Sequence, residues 1–269
     1  MAHTLSKPAL SRAVDTHFHV FDAGVAVAGA RYVPGYDAPL AQWREAAGAA
    51  GIGRGVLVQT SFLGTDNARL LRELDAHPDL LRGVAVVAPG AGAALLQDLH
   101  RHGVRGIRLN LAGRPTGIPE WAAASGLWDT LGALGWHVEL HTDVGALPPV
   151  MAQLPAHLPL VIDHMGKPDQ ARLHDPTVAA VARRAATRPV WIKLSGPYRL
   201  QGRDPAALAR LWQGELGDGA LLWGSDWPFT NHEHEARYGA LHRALFDWVD
   251  EPAATRILTG NPDALYWAA

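Results

Sequence analysis

Short apolar runs, most of them rich in Val, Ile and Leu, recur along the chain between stretches whose apolar positions come every three or four residues. The runs are 13–21, 55–60, 82–87, 103–110, 136–141, 158–163, 190–194 and 220–223. Between them, 41–50, 66–76, 91–102, 119–134, 144–154, 176–186 and 205–216 have helical composition, and 232–248, 251–258 and 262–267 read as closing helices. Apolar runs of this kind, alternating with helices, predict parallel strands covered by helices rather than half-exposed hairpins. Eight such units in succession predict the α/β class and a distorted (β/α)8 barrel with closing C-terminal helices. Residues 1–12 are expected as an N-terminal tail, and 13–269 as a single barrel domain. One stretch breaks the rhythm: the Gly- and Ala-rich loop 22–39, whose large polar groups are Arg31, Tyr32 and Tyr36. A loop of that length inside a compact domain is usually functional or mobile.

Composition agrees with one large domain. The chain has 269 residues, 48% of them apolar, enough for a sizeable core. Its formal charge of −2 offers no basic footprint for nucleic acid or an anionic membrane, so the expected partner is a small molecule. No run approaches the ~18 consecutive apolar residues of a membrane-spanning helix, and the first residues lack a secretory pattern, so the expected location is the cytoplasm. The expected assembly is a monomer or homodimer. With no cysteine in the chain, disulfides and thiolate metal sites are excluded.

The candidate chemistry collects where the strands end. In a strand, alternate side chains share a face, so His17 and His19 project together, away from Thr16 and Phe18. Later strands end in Arg108, with Arg114 in the loop after it, in Glu139-Leu140-His141, in Asp163-His164, in Lys193-Leu194-Ser195 followed by Tyr198-Arg199, and in Asp226. A barrel of this kind builds its active site at the C-terminal ends of its strands. Uncompensated charges at the mouth of an apolar barrel are costly, so a purely structural role does not account for them. Lys193 and Glu139 are expected to face each other inside the barrel. Trp227, beside Asp226, is a candidate apolar wall of the pocket. The run His232-Glu233-His234 is read as the cap of a solvated helix start rather than as a metal motif.

The ordered set is familiar. His17-Phe18-His19, His141, His164 and Asp226, together with Gly106-Ile107-Arg108-Leu109-Asn110, Ile162-Asp163-His164-Met165-Gly166-Lys167-Pro168, Lys193-Leu194-Ser195, Trp223-Gly224-Ser225-Asp226-Trp227-Pro228 and Gly260-Asn261-Pro262, resemble the amidohydrolase superfamily. The likeness runs from Asp15 to Trp267 and is strongest to the branch of 2-pyrone-4,6-dicarboxylate lactonases and related sugar lactonases. The resemblance implies hydrolysis of a small anionic lactone. Asp226 would be the general base for water, His17, His19 and His164 would bind or polarise the carbonyl, and Arg108, Arg114 and Arg199 would clamp carboxylates. His141, Tyr198 and Trp227 are further candidates for substrate contact.

The chain departs from the dicarboxylate lactonase pattern at His141, where a tyrosine is expected. That makes the site resemble a metal centre more closely. Either no metal is needed, or one divalent ion (Zn or Mn) would be held by His17, His19, His141, His164 and Asp226, donors that suit a borderline-soft cation. The alternative activity is a metal-dependent nonoxidative decarboxylase of an aromatic acid. Hydrolysis is chemically coherent on its own terms, since a lactone carbonyl needs an electrophile for its oxyanion and a base for water.

Overall fold

The computed structural model describes residues 12–268, so apart from Arg12 the expected tail lies outside the described residues. Eight strands, β1 (Val14–Phe18), β2 (Arg54–Val58), β3 (Leu81–Ala85), β4 (Val104–Asn110), β5 (His137–His141), β6 (Leu160–Ile162), β7 (Val190–Leu194) and β8 (Leu221–Trp223), pair in parallel in chain order. The ring is completed between its first and last members. Thr16 Oγ1 donates to the Trp223 carbonyl at 2.8 Å, Asp226 N donates to the His17 carbonyl at 2.8 Å, and Phe18 forms a parallel bridge with Trp227. Gly224 makes this approach feasible: a Cβ there would lie 2.5 Å from the Cβ of His17. The expected (β/α)8 barrel is therefore present.

Helices cover the outside for the reasons their periodicity suggests. Ala68–Ala76 buries Leu70 and Leu74, and Ala93–Arg101 buries Leu96 and Leu99, one stripe each. Pro176–Ala185 and Pro205–Leu216 open with proline at a first-turn position behind a capping aspartate, Asp175 and Asp204, whose carboxylates accept the Thr177 and Ala206 amides. Inside the barrel, Val14, Val56, Val58, Val84, Val161 and Leu222 pack with Tyr266, delivered by the C-terminal turns.

Three expectations change. The stretch 119–134 is two helices, Pro119–Ala122 and Ser125–Ala133, and 144–154 contracts to Leu147–Met151, with prolines in its first turn. The last long helix starts at Tyr238, so His232-Glu233-His234 lies in the turns before it and is not its cap. There the Glu233 carboxylate accepts from Tyr36 Oη at 2.7 Å, and the His232 ring lies against Tyr198 at 4.8 Å. No helix among the described residues is long and apolar enough to cross a membrane.

Candidate active site

Strand β1 carries an irregularity in its pairing between Asp15 and Phe18. It breaks strict alternation: Val14 and His17 both face the barrel interior, whereas Asp15 and Phe18 turn outward, Phe18 onto Trp43 with ring centroids 3.9 Å apart. His19 lies one residue past the strand, yet its ring sits edge-on to that of His17 at 5.0 Å. Asp226, in the left-handed region at φ 59°, turns its carboxylate toward both: Oδ1 is 3.6 Å from His17 Nε2 and 3.5 Å from His19 Nε2. The expected convergence of first and last strands is thus present in the geometry.

The second oxygen of Asp226 is also engaged. Arg199 Nε donates to Oδ2 at 2.5 Å and Tyr198 Oη donates to it at 2.9 Å. Burial alone would raise this carboxyl, but the Arg199 guanidinium beside it outweighs burial and holds it well below the usual carboxylate range. Asp226 is therefore ionised at neutral pH. Arg199, expected to clamp substrate, spends its Nε on the protein's own carboxylate and donates with another nitrogen to the Thr230 carbonyl at 3.1 Å.

Arg108 is likewise committed. It is 4% exposed, and both its Nε and one terminal nitrogen lie 2.9 Å from Asp163 Oδ2. Asp163, which the sequence shows only as the neighbour of His164 at a strand end, belongs to the site. It is a hub, its other oxygen lying 3.1 Å from His17 Nδ1. Lys193 and Glu139 meet inside the barrel as expected, at 2.5 Å, and Lys193 Nζ also lies 3.1 Å from His17 Nδ1. Burial and the charge of Asp163 push the Glu139 carboxyl up. Burial dominates at His17 and lowers its pKa to about 3, so this imidazole is neutral.

His164 follows β6 in a tight turn and places Nδ1 3.0 Å from Ser195 Oγ. Burial holds it, too, well below the ordinary range. His141 has its ligand atom within 4.8 Å of those of Asp163 and His164, and cations also approach it. Its Nε2 is 3.0 Å from the Lys167 ammonium and its Nδ1 is 3.4 Å from the Arg108 guanidinium, so cationic donors face both ring nitrogens. Lys167 itself, lowered by burial to about 8, was not foreseen. Its reach back to His141 depends on left-handed turns at Met165, Gly166 and Lys167, for which only the glycine is a sequence signal.

Whether the remaining donors fit a cation can be judged from their hydrogen bonds. His19 Nδ1 lies 2.8 Å from the Val58 carbonyl, which requires Nδ1–H there and leaves Nε2 without a proton in the neutral ring. The His17 Nδ1 atom is met by the Lys193 ammonium at 3.1 Å, and its Nε2, 3.6 Å from Asp226 Oδ1, is buried with no hydrogen-bond partner. The His19 nitrogen, this orphaned His17 nitrogen and the Asp226 carboxylate face one another, a donor set that suits a divalent ion. His164 completes the set: its ligand atom and those of His17 and Asp226 lie within 4.8 Å of one another.

These groups open into a cavity of about 610 Å³. Its walls include His19, His141, His164 and Asp226, the guanidinium groups Arg108, Arg114 and Arg199, and residues 27–32 of the long loop, which gives that loop a place in the site. Tyr198 and Trp227 are not among the lining residues; Trp227 is 8% exposed and belongs to the core.

The amidohydrolase family model matches residues 14–267. A 2-pyrone-4,6-dicarboxylate hydrolase of Comamonas testosteroni is 32% identical over 95% of this chain and 90% of its own length. A 4-sulfomuconolactone hydrolase of Rhizobium radiobacter is 28% identical over 94% and 89%. A solved Acinetobacter baumannii structure, assigned as a 2-pyrone-4,6-dicarboxylic acid hydrolase and holding citric acid, superposes with a TM-score of 0.83 at 30% identity over 96% and 100%. A manganese-bound dihydroxybenzoic acid decarboxylase of Polaromonas matches at 16% identity and a TM-score of 0.66, a likeness of fold alone. The match over nearly every described residue, joined to the histidine and aspartate geometry, places this chain in the amidohydrolase family.

Proposed function

We propose that this chain opens the ring of a small anionic lactone by hydrolysis, with Asp226 taking a proton from the attacking water. The observation that carries the reading is the division of labour at that carboxylate. Arg199 and Tyr198 hold Oδ2, which leaves Oδ1 facing the cluster of imidazoles. Water attacks the carbonyl carbon as Oδ1 accepts its proton, the ring C–O bond breaks, and the leaving oxygen is reprotonated to give a hydroxy or enol acid. With no ion bound and the Ser195 hydroxyl donating to Nδ1, the other ring nitrogen of His164 carries a proton and can donate to the carbonyl oxygen as negative charge develops. A carboxylate held at low pKa is a modest base, which suits an activated ester better than an amide.

The two hydrolase relatives act on lactones that carry anionic groups, in keeping with a cavity lined by guanidinium groups. A divalent ion, Zn or Mn, at His17, His19, His164 and Asp226 would supply a Lewis acid for the carbonyl and lower the pKa of a bound water. The test is a panel of pyrone dicarboxylates, muconolactones and sugar-acid lactones, assayed with and without chelator. Asp226→Asn is expected to lower kcat by at least about 10²-fold; turnover at the wild-type rate in that variant would overturn the assignment. Release of carbon dioxide from an aromatic acid would favour a decarboxylase instead.

A further inference from the structure

The cavity holds more positive charge than the protein neutralises. Four arginines line it: Arg31, Arg108, Arg114 and Arg199. Asp163 answers Arg108 and Asp226 answers Arg199, whereas Arg31 and Arg114 have no acidic partner within 4.0 Å among the described residues. These two come from different loops. Arg31 belongs to the loop after β1 and Arg114 to the loop after β4, and the loops already touch, because the Arg31 guanidinium donates to the Ala112 carbonyl. Gly113, at φ 67°, leaves room for it: a Cβ there would meet the guanidinium at 2.6 Å. The Asp143 carboxylate accepts from Gly113 N at 2.7 Å and steadies that loop from the other side. The Ala112 contact is made by one terminal nitrogen of Arg31, which leaves donors of its planar fork for a ligand.

We propose that Arg31 is a specificity-determining residue. With Arg114 it forms a two-guanidinium clamp at the cavity mouth for an anionic substituent of the lactone, carboxylate or sulfonate, remote from the carbonyl under attack. This rests on the lactonase reading of the same cavity. The clamp departs from a pattern in which Arg108 and Arg199 supply the anion contacts, because the charge of each is already met by an internal carboxylate. Guanidinium forks match planar oxyanions with paired hydrogen bonds, and Arg31 and Arg114 are both exposed, where an incoming anion can reach them.

The experiment compares kcat/KM for 2-pyrone-4,6-dicarboxylate with that for an uncharged lactone such as dihydrocoumarin, in wild type, Arg31→Met and Arg31→Gln. Removing a charge-assisted contact is expected to lower the ratio of the two, charged over neutral, by about tenfold or more, through KM. Gln keeps a donor for the Ala112 carbonyl and drops the charge, so a clamp predicts that it fails as Met does, whereas a merely structural latch predicts rescue. A ratio unchanged in both variants, or restored by Gln, would overturn the proposal. Should wild type hydrolyse neither lactone, the hydrolase reading falls, and the clamp is then decided by calorimetric citrate binding. Citrate binding weakened at least tenfold in both variants upholds the clamp, and equal binding in all three proteins refutes it.

Discussion

Asp15 touches no part of the cavity, yet the geometry of the site depends on it. Its carboxylate, fully buried, accepts five hydrogen bonds. Oδ1 takes Ser225 N at 2.9 Å and His17 N at 3.1 Å, and Oδ2 takes Ser225 Oγ at 2.6 Å, Trp43 Nε1 at 2.9 Å and Tyr238 Oη at 3.0 Å. The residue thereby ties β1 to the turn that presents Asp226. Asp15→Asn keeps the shape and replaces one acceptor by a donor. If the amide nitrogen takes the Oδ1 position, two backbone N–H groups that cannot rotate lose their acceptor. If it takes the Oδ2 position, the two hydroxyls can turn to accept, and only the Trp43 indole is stranded. The second arrangement is cheaper: one buried unsatisfied donor and weaker hydrogen bonds elsewhere cost about 2–4 kcal/mol together. For a chain of this size that corresponds to a melting point lower by roughly 4–7 °C. Calorimetry measures the shift, and steady-state kinetics on the best lactone should show the loss in kcat more than in KM, since the turn carrying Asp226 loosens. Burial pushes the Asp15 carboxyl up, against its hydrogen bonds. A variant melting within about 2 °C of wild type would mean that the carboxyl is already protonated in the fold and would refute the five-acceptor account.

Lys193→Met should destabilise the protein by about 3–5 kcal/mol in urea unfolding, because it leaves Glu139 and Asp163 buried with Arg108 as their main cation. Adding Glu139→Gln should recover part of the loss, and a double variant no more stable than the single one would show that the pair is not coupled. Stability should also fall on acidification. The buried imidazoles His17 and His137, each lowered to about 3 chiefly by burial, stay neutral in the fold while the unfolded chain takes up protons below about pH 6.5. Their contribution is complete above that pH and erodes toward pH 3, and His141 and His164, also held low by burial, add to it against the opposing carboxyls of Glu139, raised to about 8, and Asp15. The carboxylates of Asp163 and Asp226, held low, add a further loss once the pH falls below their ordinary range. A urea midpoint at pH 5 equal to or above that at pH 7.5 would contradict this sign.

The amino-acid sequence by itself determined the barrel and most of its chemical inventory. Eight buried apolar runs alternating with amphipathic stretches have few ways to satisfy backbone and burial together, and the C-terminal strand ends of such a barrel must face one mouth. Hence His17, His19, His164 and Asp226 could be placed together before any coordinates. Only the tertiary structure decided which of these charges remain free for a ligand. That depends on partners arriving from distant strands into a dry interior: Asp163 claims Arg108, Asp226 claims Arg199, and Lys167 claims His141. It depends as well on a pairing irregularity in β1 that turns Asp15 away from His17, and on a loop crossing that sets Arg31 beside Ala112. Hydrophobic periodicity is a local property and survives in the linear text. Ion pairing is set by contacts across the whole barrel, and beyond Lys193 with Glu139 spacing along the chain does not encode it.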